Sequence, residues 1–435
     1  MDDSSVRRLL VLSNGHGEDA IALRIIHALH QQLPSIEIVA LPIVGNGDSY
    51  AHHHIPIAGP VKAMPSGGFV YMDGKQLARD VQGGLIQLTL AQIQTVRQWA
   101  RAGGSILAVG DIVPLLFAWG SGAPYAFIGT AKSEYYLRDE QGVLPRASWF
   151  EQLESWSGSV YLPWERWLMQ HSRCKAVFPR DTLTSKILQT WPIPVFDVGN
   201  PMMDDLTVEN TAHASAIAHA SQQAKLTLVL LPGSRVPEAH ANWSLILQGV
   251  QSVIHHSGDR PSLFLGAIAP SLDRSPFDTL LHKHGWQPGW QPKATTGDAN
   301  DSIPVTYFTQ GIHTLMLVSC QFNACIHYAE GAIALAGTAT EQVVGLGKPA
   351  FIIPGQGPQF TPAFAEAQSR LLGTSVIQVS EPRQIGQCVF ELLSDSAQLH
   401  QIQQNGYRRM GKPGASDRIA QTLIQEFGWG RSPCI

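Results

Sequence analysis

The chain has 435 residues, of which 44% are hydrophobic and 15% are charged, and its formal net charge is −4. This length exceeds one ordinary domain core, and the apolar content excludes a disordered chain. The mildly acidic balance offers no basic surface to a phosphate backbone, so no nucleic acid is expected as a partner.

The cysteines and the apolar runs indicate a cytoplasmic protein. Five cysteines are present, none in a C-x-x-C pair, which favours free thiols in a reducing compartment. The first apolar run reaches Gly15 too soon for a secretory signal. No stretch has the ~18–20 uninterrupted apolar residues of a membrane-spanning helix.

Short apolar runs alternate with helical patterns along both halves of the chain. Residues 8–13 predict a strand, followed by a glycine turn and a helix from Asp19. Residues 207–225 are polar and alanine-rich, and we place the domain linker in or beside them. Further strands are predicted at residues 37–41, 105–111, 124–129, 175–180 and 195–200. In the second half they are predicted within the run 226–235 and at 262–268, 315–319, 332–337 and 349–355.

Repeated strand-then-helix order predicts an α/β protein with two Rossmann-like, doubly wound parallel-sheet domains facing across a cleft. The first domain covers residues 1–205 and the second covers 222–405. Ligands of such sheets bind beyond the carboxyl ends of the strands.

The turn after the first strand of the second half is a candidate diphosphate site. Gly233 permits a tight turn, while Ser234 and Arg235 add a hydroxyl and a guanidinium donor beside a helix start. An ordinary turn, with the arginine in a surface ion pair, is the alternative.

A second candidate donor-binding segment follows the run at 332–337. Small residues there open a helix, so their amides can hold phosphate while a glutamate accepts hydrogen bonds from ribose hydroxyls. A simple capping box is the alternative. The later turn at 354–361 adds Gln356, which could contact sugar hydroxyls. The residues of these two segments are Gly337, Thr338, Ala339, Thr340, Glu341 and Gln356.

The turn at residues 14–19 has two acids at the helix start, which disfavours binding of a nucleotide phosphate. The turn suits the acceptor of a transferred group better. The candidate acceptor-binding residues are Asn14, Gly15, Gly17 and Glu18. Two residues are candidates for the general base that would remove a proton from an acceptor hydroxyl. His16 lies on this turn and Asp111 ends a buried strand, and each could instead be a structural helix cap.

No metal site is predicted. The consecutive histidines at 52–54 point in different directions and have no spaced partner ligand. The tryptophan-rich segment at 156–167 could contact a membrane interface, or it could pack in the core.

Several motifs in order resemble the lipid-A-disaccharide synthase family: residues 198–201 followed by Asp204, residues 230–235 followed by Glu238, residues 337–341 and residues 411–416. The turn around His16 is similar to that of the lipid II-forming N-acetylglucosaminyltransferase. Around Asp111 the chain departs from the synthase pattern, which has a second acid and a Phe-Asn pair. The chain is therefore identified as a divergent relative of the synthase family.

The resemblance implies a GT-B glycosyltransferase that transfers a hexosyl group, of the N-acetylglucosamine type, with inversion. It also implies that a C-terminal helix at about 415–430, following the motif at 411–416, completes the first domain. The UDP-sugar is a co-substrate, no cofactor is needed, and the acceptor is a lipid or lipid-linked sugar. The implied location is the cytoplasm, with peripheral contact at the inner face of the cytoplasmic membrane. Two alternatives remain: a UDP-N-acetylglucosamine 2-epimerase-like isomerase, and a catalytically silent UDP-sugar-binding protein.

Overall fold

The computed structural model describes residues 7–62, 84–145, 156–289, 305–355 and 360–430, except the side chain of His16. These residues form two compact units. The first runs to Asp204 and resumes at Gly411, and the second is Asp205–Met410. Each unit is an α/β domain built on its own largely parallel sheet, so the predicted pair of Rossmann-like domains is confirmed.

The first sheet has the strand order β2–β1–β3–β4–β7, and every pairing in it is parallel. Its strands are apolar runs buried on both faces, because helices cover both sides. Leu10 and Leu12 belong to the core on one face, whereas Leu9 and Val11 belong to the core on the other. The strands are β1 (Arg8–Ser13), β2 (Glu37–Pro42), β3 (Ser105–Gly110), β4 (Tyr125–Gly129) and β7 (Cys174–Pro179), with a small hairpin of β5 (Arg138–Asp139) and β6 (Gly142–Val143).

Helices of the first unit follow the strands in chain order. They are α1 (His16–Gln32), α2 (Asp48–His52), α3 (Leu85–Arg101), α4 (Ile112–Ser121), α5 (Pro163–Gln170) and α6 (Thr182–Leu188), with 3₁₀ turns at Glu134–Tyr136 and Pro201–Met203.

The last helix of the chain returns to the first unit. This helix, which we label α15 (Ala415–Glu426), packs against α1. Asp204 fixes its start, because its carboxylate accepts the backbone N–H groups of Gly414 at 2.6 Å and Ser416 at 2.7 Å. The two ends of the first unit are thereby joined where the chain leaves it and comes back.

The second sheet has the strand order β10–β11–β12–β9–β8–β13–β14–β15. It is parallel from β12 to β15, while β10, β11 and β12 pair antiparallel. The strands are β8 (Leu226–Leu231), β9 (Ser262–Ile268), β10 (Gln287–Pro288), β11 (Thr306–Gln310), β12 (His313–Ser319), β13 (Gly331–Ala334), β14 (Ala350–Ile352) and β15 (Val376–Gln378).

Helices surround this sheet too. They are α7 (Ala212–Gln223), α8 (Glu238–Ser257), α9 (Ser275–Lys283), α10 (Phe322–Tyr328), α11 (Thr338–Gly345), α12 (Pro362–Leu372), α13 (Ile385–Leu393) and α14 (Ser396–Met410), with 3₁₀ turns at Gly373–Ser375 and Pro382–Gln384.

Two segments differ from the sequence expectation. Residues 195–200 form no strand beyond a single bridge between Val195 and Val177. The Val177 N–H donates to the Pro194 carbonyl oxygen, and the Phe196 N–H donates to the Val177 carbonyl oxygen. The alanine-rich stretch expected near the linker forms α7 within the second unit. Thr211 caps this helix by accepting the Ala214 N–H at 3.1 Å, as its hydroxyl side chain favours. Among the described residues, no helix combines the length and apolar character needed to cross a bilayer.

Candidate functional site

A cavity of about 630 Å³ lies in the second unit, at the carboxyl edge of its sheet. Its floor is formed where neighbouring parallel strands end, at Leu231 of β8, Ile268 of β9, Val318 of β12 and Leu335 after β13. Chain connections run outward in both directions from β8, which makes this the usual ligand position of a doubly wound sheet.

The turn after β8 brings Gly233, Ser234 and Arg235 to the cavity wall. Gly233 has φ +94°, a backbone conformation that side chains disfavour, and a Cβ there would lie 3.4 Å from the Leu335 carbonyl oxygen. The Arg235 side chain is exposed, and its guanidinium makes no hydrogen bond or ion pair with any described residue. A cation is therefore available to a ligand at this wall.

The start of α11 forms the adjoining wall. Gly337 is its N-cap and supplies no side-chain cap, so Thr338 and Ala339 begin the helix with uncapped amides. The N–H groups of Thr340 and Glu341 donate to the Gly337 carbonyl, whereas those of Thr338 and Ala339 donate no hydrogen bond within the described part of the chain. Free amides at a helix N-terminus bind anions, such as the phosphates of a nucleotide.

Predicted donor residues separate into two groups at this turn. Gly337, Thr338 and Ala339 line the cavity, but Thr340 and Glu341 do not. Thr340 is fully buried, and its hydroxyl donates to the Ala336 carbonyl oxygen at 2.5 Å and therefore does not face the cavity. Glu341 is half-buried in the first helical turn.

Gln356, the remaining predicted donor residue, lies outside the described residues.

Several cavity residues escaped the sequence-based prediction. Glu238 and Asn242 lie one turn apart on α8 and are both almost fully buried. The Glu238 carboxylate accepts the Phe360 N–H at 2.6 Å. A polar pair at i and i+4 directly after a glycine turn is the signal that would have found them. Gln342, Phe360 and Phe364 also line the cavity.

The far side of the cavity is formed by the loops after β9 and β12. Cys320 lies there with φ +60°, followed by Gln321 and Asn323. The Asn323 amide donates to the carbonyl oxygens of Asp205 at 2.7 Å and Thr207 at 3.1 Å, which fixes this loop to the entry segment of the unit. The apolar lining residues on this side are Ala267, Ile268, Ala269, Pro270, Val318 and Phe322.

The carboxyl edge of the first sheet holds the predicted acceptor residues. Ser13, at the end of β1, donates to Asp19 at 2.6 Å and accepts from the Tyr50 hydroxyl at 2.7 Å. Asn14 is 4% exposed, and its Oδ1 has no partner among the described residues.

Gly110 brings these residues together with the neighbouring strand end. A Cβ on Gly110 would lie 3.3 Å from the Asn14 Cβ and 3.5 Å from the Glu18 Cγ. The half-buried Glu18 accepts a hydrogen bond from the Thr130 hydroxyl at 3.3 Å. Gly15, the N-cap of α1, has φ +130°, and Gly17 is exposed. His16 is the first residue of α1, and its side chain lies outside the described structure.

Asp111 directly follows β3 and caps α4. Its Oδ1 accepts the Val113 N–H at 2.8 Å. Burial raises the pKa of Asp111, and the charge of Glu165 raises it further, while the Val113 N–H and Lys132 lower it. Lys132 and Glu165 form an ion pair of 2.6 Å. Asp111 therefore combines the capping role with the raised pKa expected of a carboxylate base.

No group of three or more potential ligands suitable for a metal ion occurs in the part of the chain that the structure describes. His52 ends α2, and His53 and His54 follow it on the surface.

No family model matches the chain, and no curated protein matches its sequence. Solved structures of similar fold include the UDP-GlcNAc 2-epimerase of Neisseria meningitidis bound to UDP-GlcNAc (13% identity, 96% of this chain and 100% of that one, TM-score 0.54). The calicheamicin glycosyltransferase CalG4 has 14% identity, coverage of 98% and 100%, and a TM-score of 0.55. UGT71G1 of Medicago truncatula, complexed with UDP-glucose, has 12% identity, coverage of 98% and 99%, and a TM-score of 0.53.

At these identities the likeness shows the fold alone, which is two Rossmann-like domains of the GT-B kind.

Proposed function

We propose that the protein is a glycosyltransferase that transfers a hexosyl group, of the N-acetylglucosamine type, from a UDP-sugar to a lipid or lipid-linked acceptor with inversion. One observation carries this proposal: the cavity of the second unit combines the uncapped amides of Thr338 and Ala339 with the unpaired guanidinium of Arg235. That combination suits a diphosphate, and structures of similar fold hold UDP-glucose or UDP-GlcNAc.

In this proposal the second unit binds the donor. The diphosphate lies between the turn at Gly233 and the N-terminus of α11, where the amides and Arg235 stabilise the charge that develops on the leaving group. Ser234 and Thr338 add hydroxyl donors. Glu341 and Gln356 remain candidates for ribose and sugar contacts.

The first unit binds the acceptor. Asn14 and Glu18 contact its polar groups, and Asp111 removes the proton from its hydroxyl. The oxygen then attacks the anomeric carbon, forming the new glycosidic bond as the bond to the diphosphate breaks and UDP leaves. His16 is the second candidate for the base.

A lipid acceptor is supported by exposed apolar side chains on α3, α4 and α5, three helices that pack in that order and whose exposed residues we take together as one face. Among its residues Trp164 and Trp167 are 52% and 54% exposed. Glu165 is buried and the sequences of α3 and α4 contain no acid, while Arg97 and Arg101 are exposed on α3. The residues of this face are Ile86, Leu90, Leu116, Trp164 and Trp167.

We therefore propose peripheral docking on an anionic bilayer at the cytoplasmic face of the membrane. In a flotation assay, the protein should rise with anionic vesicles and the Trp164→Ser/Trp167→Ser double variant should not. Equal flotation of both proteins would reject this surface.

The donor site is tested by calorimetry with UDP, UDP-GlcNAc, UDP-glucose and UDP-galactose. We expect micromolar binding of UDP, weakened by roughly 1.5–3 kcal/mol in Arg235→Ala, because a charge-assisted hydrogen bond to phosphate is lost. Arg383→Ala is the control, because Arg383 is a surface residue of the same unit outside the cavity walls and should leave UDP affinity unchanged. If wild type binds no uridine nucleotide, the transferase proposal fails.

The same incubations separate the two alternatives. Conversion of a UDP-sugar to a soluble isomer without acceptor would indicate a 2-epimerase-like enzyme. Binding with neither transfer nor isomerisation would indicate a silent UDP-sugar-binding protein.

A further inference from the structure

A buried amide on α8 holds carbonyl oxygens from both turns of the proposed donor site. Asn242 Nδ2 donates to the carbonyl oxygen of Pro232, before Gly233, at 3.0 Å. It also donates to the carbonyl oxygen of Leu335, at the start of the neighbouring turn, at 3.3 Å. One side chain therefore links the ends of β8 and β13.

A second buried amide, on α12, holds the rest of the α11 turn. Gln368 Nε2 donates to the carbonyl oxygens of Ala336 at 3.1 Å and Gly337 at 3.2 Å. Thr340 supports the same arrangement from within α11, since its hydroxyl also donates to the Ala336 oxygen.

The orientation of both amides is fixed by these contacts. Asn242 is 2% exposed and Gln368 is 3% exposed. Their oxygens, Asn242 Oδ1 and Gln368 Oε1, have no hydrogen-bond partner within the described residues. Turning either amide over would place its oxygen against two carbonyl oxygens, which is electrostatically unfavourable, so the N–H groups face the turns.

A hydrogen bond that fixes a backbone carbonyl oxygen also fixes the direction of the N–H group of the next residue. In a trans peptide the C=O and the following N–H point in opposite directions. The four held carbonyls therefore direct the N–H groups of residues 233, 336, 337 and 338 away from Asn242 and Gln368. All four residues line the cavity, and none of these N–H groups donates a hydrogen bond within the described structure.

We propose that Asn242 and Gln368 are positioning residues that aim these backbone N–H groups at the diphosphate of the donor. The inference rests on the proposed function, because it assumes that the anion bound here belongs to a UDP-sugar. The two side chains act through the turns and do not contact the ligand.

The test replaces each amide by its carboxyl isostere, in Asn242→Asp and Gln368→Glu. At about pH 8 the carboxylate has no N–H and repels the carbonyl oxygens, so each turn should rotate and UDP affinity should fall by roughly 10- to 100-fold. Towards about pH 5 the protonated carboxyl group regains one donor, and burial favours this neutral form. UDP affinity should then recover relative to wild type measured at each pH.

A matched control exists in the first unit. Gln92 is 1% exposed, and its Nε2 donates to the carbonyl oxygens of Pro42, Ile43 and Pro60, while its Oε1 has no described partner. Gln92→Glu should therefore lower thermal stability in a similar pH-dependent way but leave UDP affinity unchanged.

Each outcome distinguishes the two levels of the proposal. If wild type does not bind UDP, the proposed function fails. If wild type binds UDP and the folded variants bind it equally well at about pH 8, the positioning roles are rejected although the donor site stands. Weakened binding that does not recover in acid would also reject them, because it would reflect a structural defect alone. If circular dichroism shows that one variant is unfolded at about pH 8, the positioning roles are tested by its UDP affinity at about pH 5 and by the UDP affinity of the other variant at both pH values.

Discussion

The carboxyl edges of the two sheets occupy equivalent places in their domains, but their helix starts are occupied differently. In the first unit, Asp111 caps α4 and Asp181 caps α6, so carboxylates take up the free amides of both helices. In the second unit, α11 starts at Gly337 without a side-chain cap. A helix start at such an edge keeps free amides for an anion where no acidic side chain caps it, as at α11. In the first unit α1 also starts at a glycine without a side-chain cap, Gly15, but its first turn holds Glu18 and Asp19.

The same difference separates the proposed chemical roles. An edge rich in buried carboxylates suits proton removal, whereas an edge of uncapped amides with a free guanidinium suits a leaving diphosphate. The comparison can be tested by removing the defining group from one edge at a time.

Removing the Asp111 carboxylate should have the largest effect. In Asp111→Asn the amide can still cap α4 but cannot accept a proton, so sugar transfer should fall roughly 10²- to 10⁴-fold with UDP affinity unchanged. The measurement is incorporation of labelled sugar from UDP-GlcNAc into organic-extractable lipid.

Asp181→Asn is the matched control, since Asp181 is also a carboxylate N-cap of the first unit and is buried. It should retain transfer. Wild-type transfer by Asp111→Asn would instead direct attention to His16 as the base.

Much of the fold could be predicted from the sequence, because its strands are continuous apolar runs bounded by turn residues. Residues 262–268 form a strand at the predicted bounds. Residues 195–200 do not, because strand formation also needs a neighbouring strand in register, and in the described structure only Val195 bridges to β7. The antiparallel pairing of β10, β11 and β12 could not be predicted from the sequence either, because the direction of a strand depends on its neighbours in the sheet and not on its own composition.

The site was predictable where it consists of turns. The glycines and small residues at 233–235 and 337–339 indicate turns whose backbone can approach a ligand closely. Asn242 and Gln368 could not be identified, because their role depends on carbonyl oxygens brought near them by the tertiary fold. Thr340 illustrates the reverse case, since its motif position resembles a ligand contact but its hydroxyl bonds inward.

An intermediate effect is expected from disturbing the glycine turn of the second edge. In Gly233→Ala, a residue with a side chain must adopt φ +94°, which is strained, so the turn should shift and UDP affinity should fall by about 10-fold. Calorimetry with UDP measures this. Gly311→Ala is the control because Gly311 also has positive φ, +60°, but has open space around it. Equal UDP affinity in both variants would mean that the Gly233 turn does not contact the nucleotide.

The smallest effect concerns the pH dependence of stability at the first edge. Burial raises the pKa of Asp111 above its usual value of 3.8, so the folded protein retains this proton to higher pH than the unfolded chain does. The stability that the protonated group contributes is complete below the unfolded pKa and is lost as the pH rises through the folded pKa.

Asp111→Asn does not titrate. Its unfolding free energy relative to wild type should therefore increase as the pH rises above the usual pKa of an aspartate. Urea denaturation followed by circular dichroism measures this difference. If the relative stability of the variant instead decreased over that range, the folded pKa of Asp111 would be lowered, and the carboxylate would act mainly as a charged helix cap.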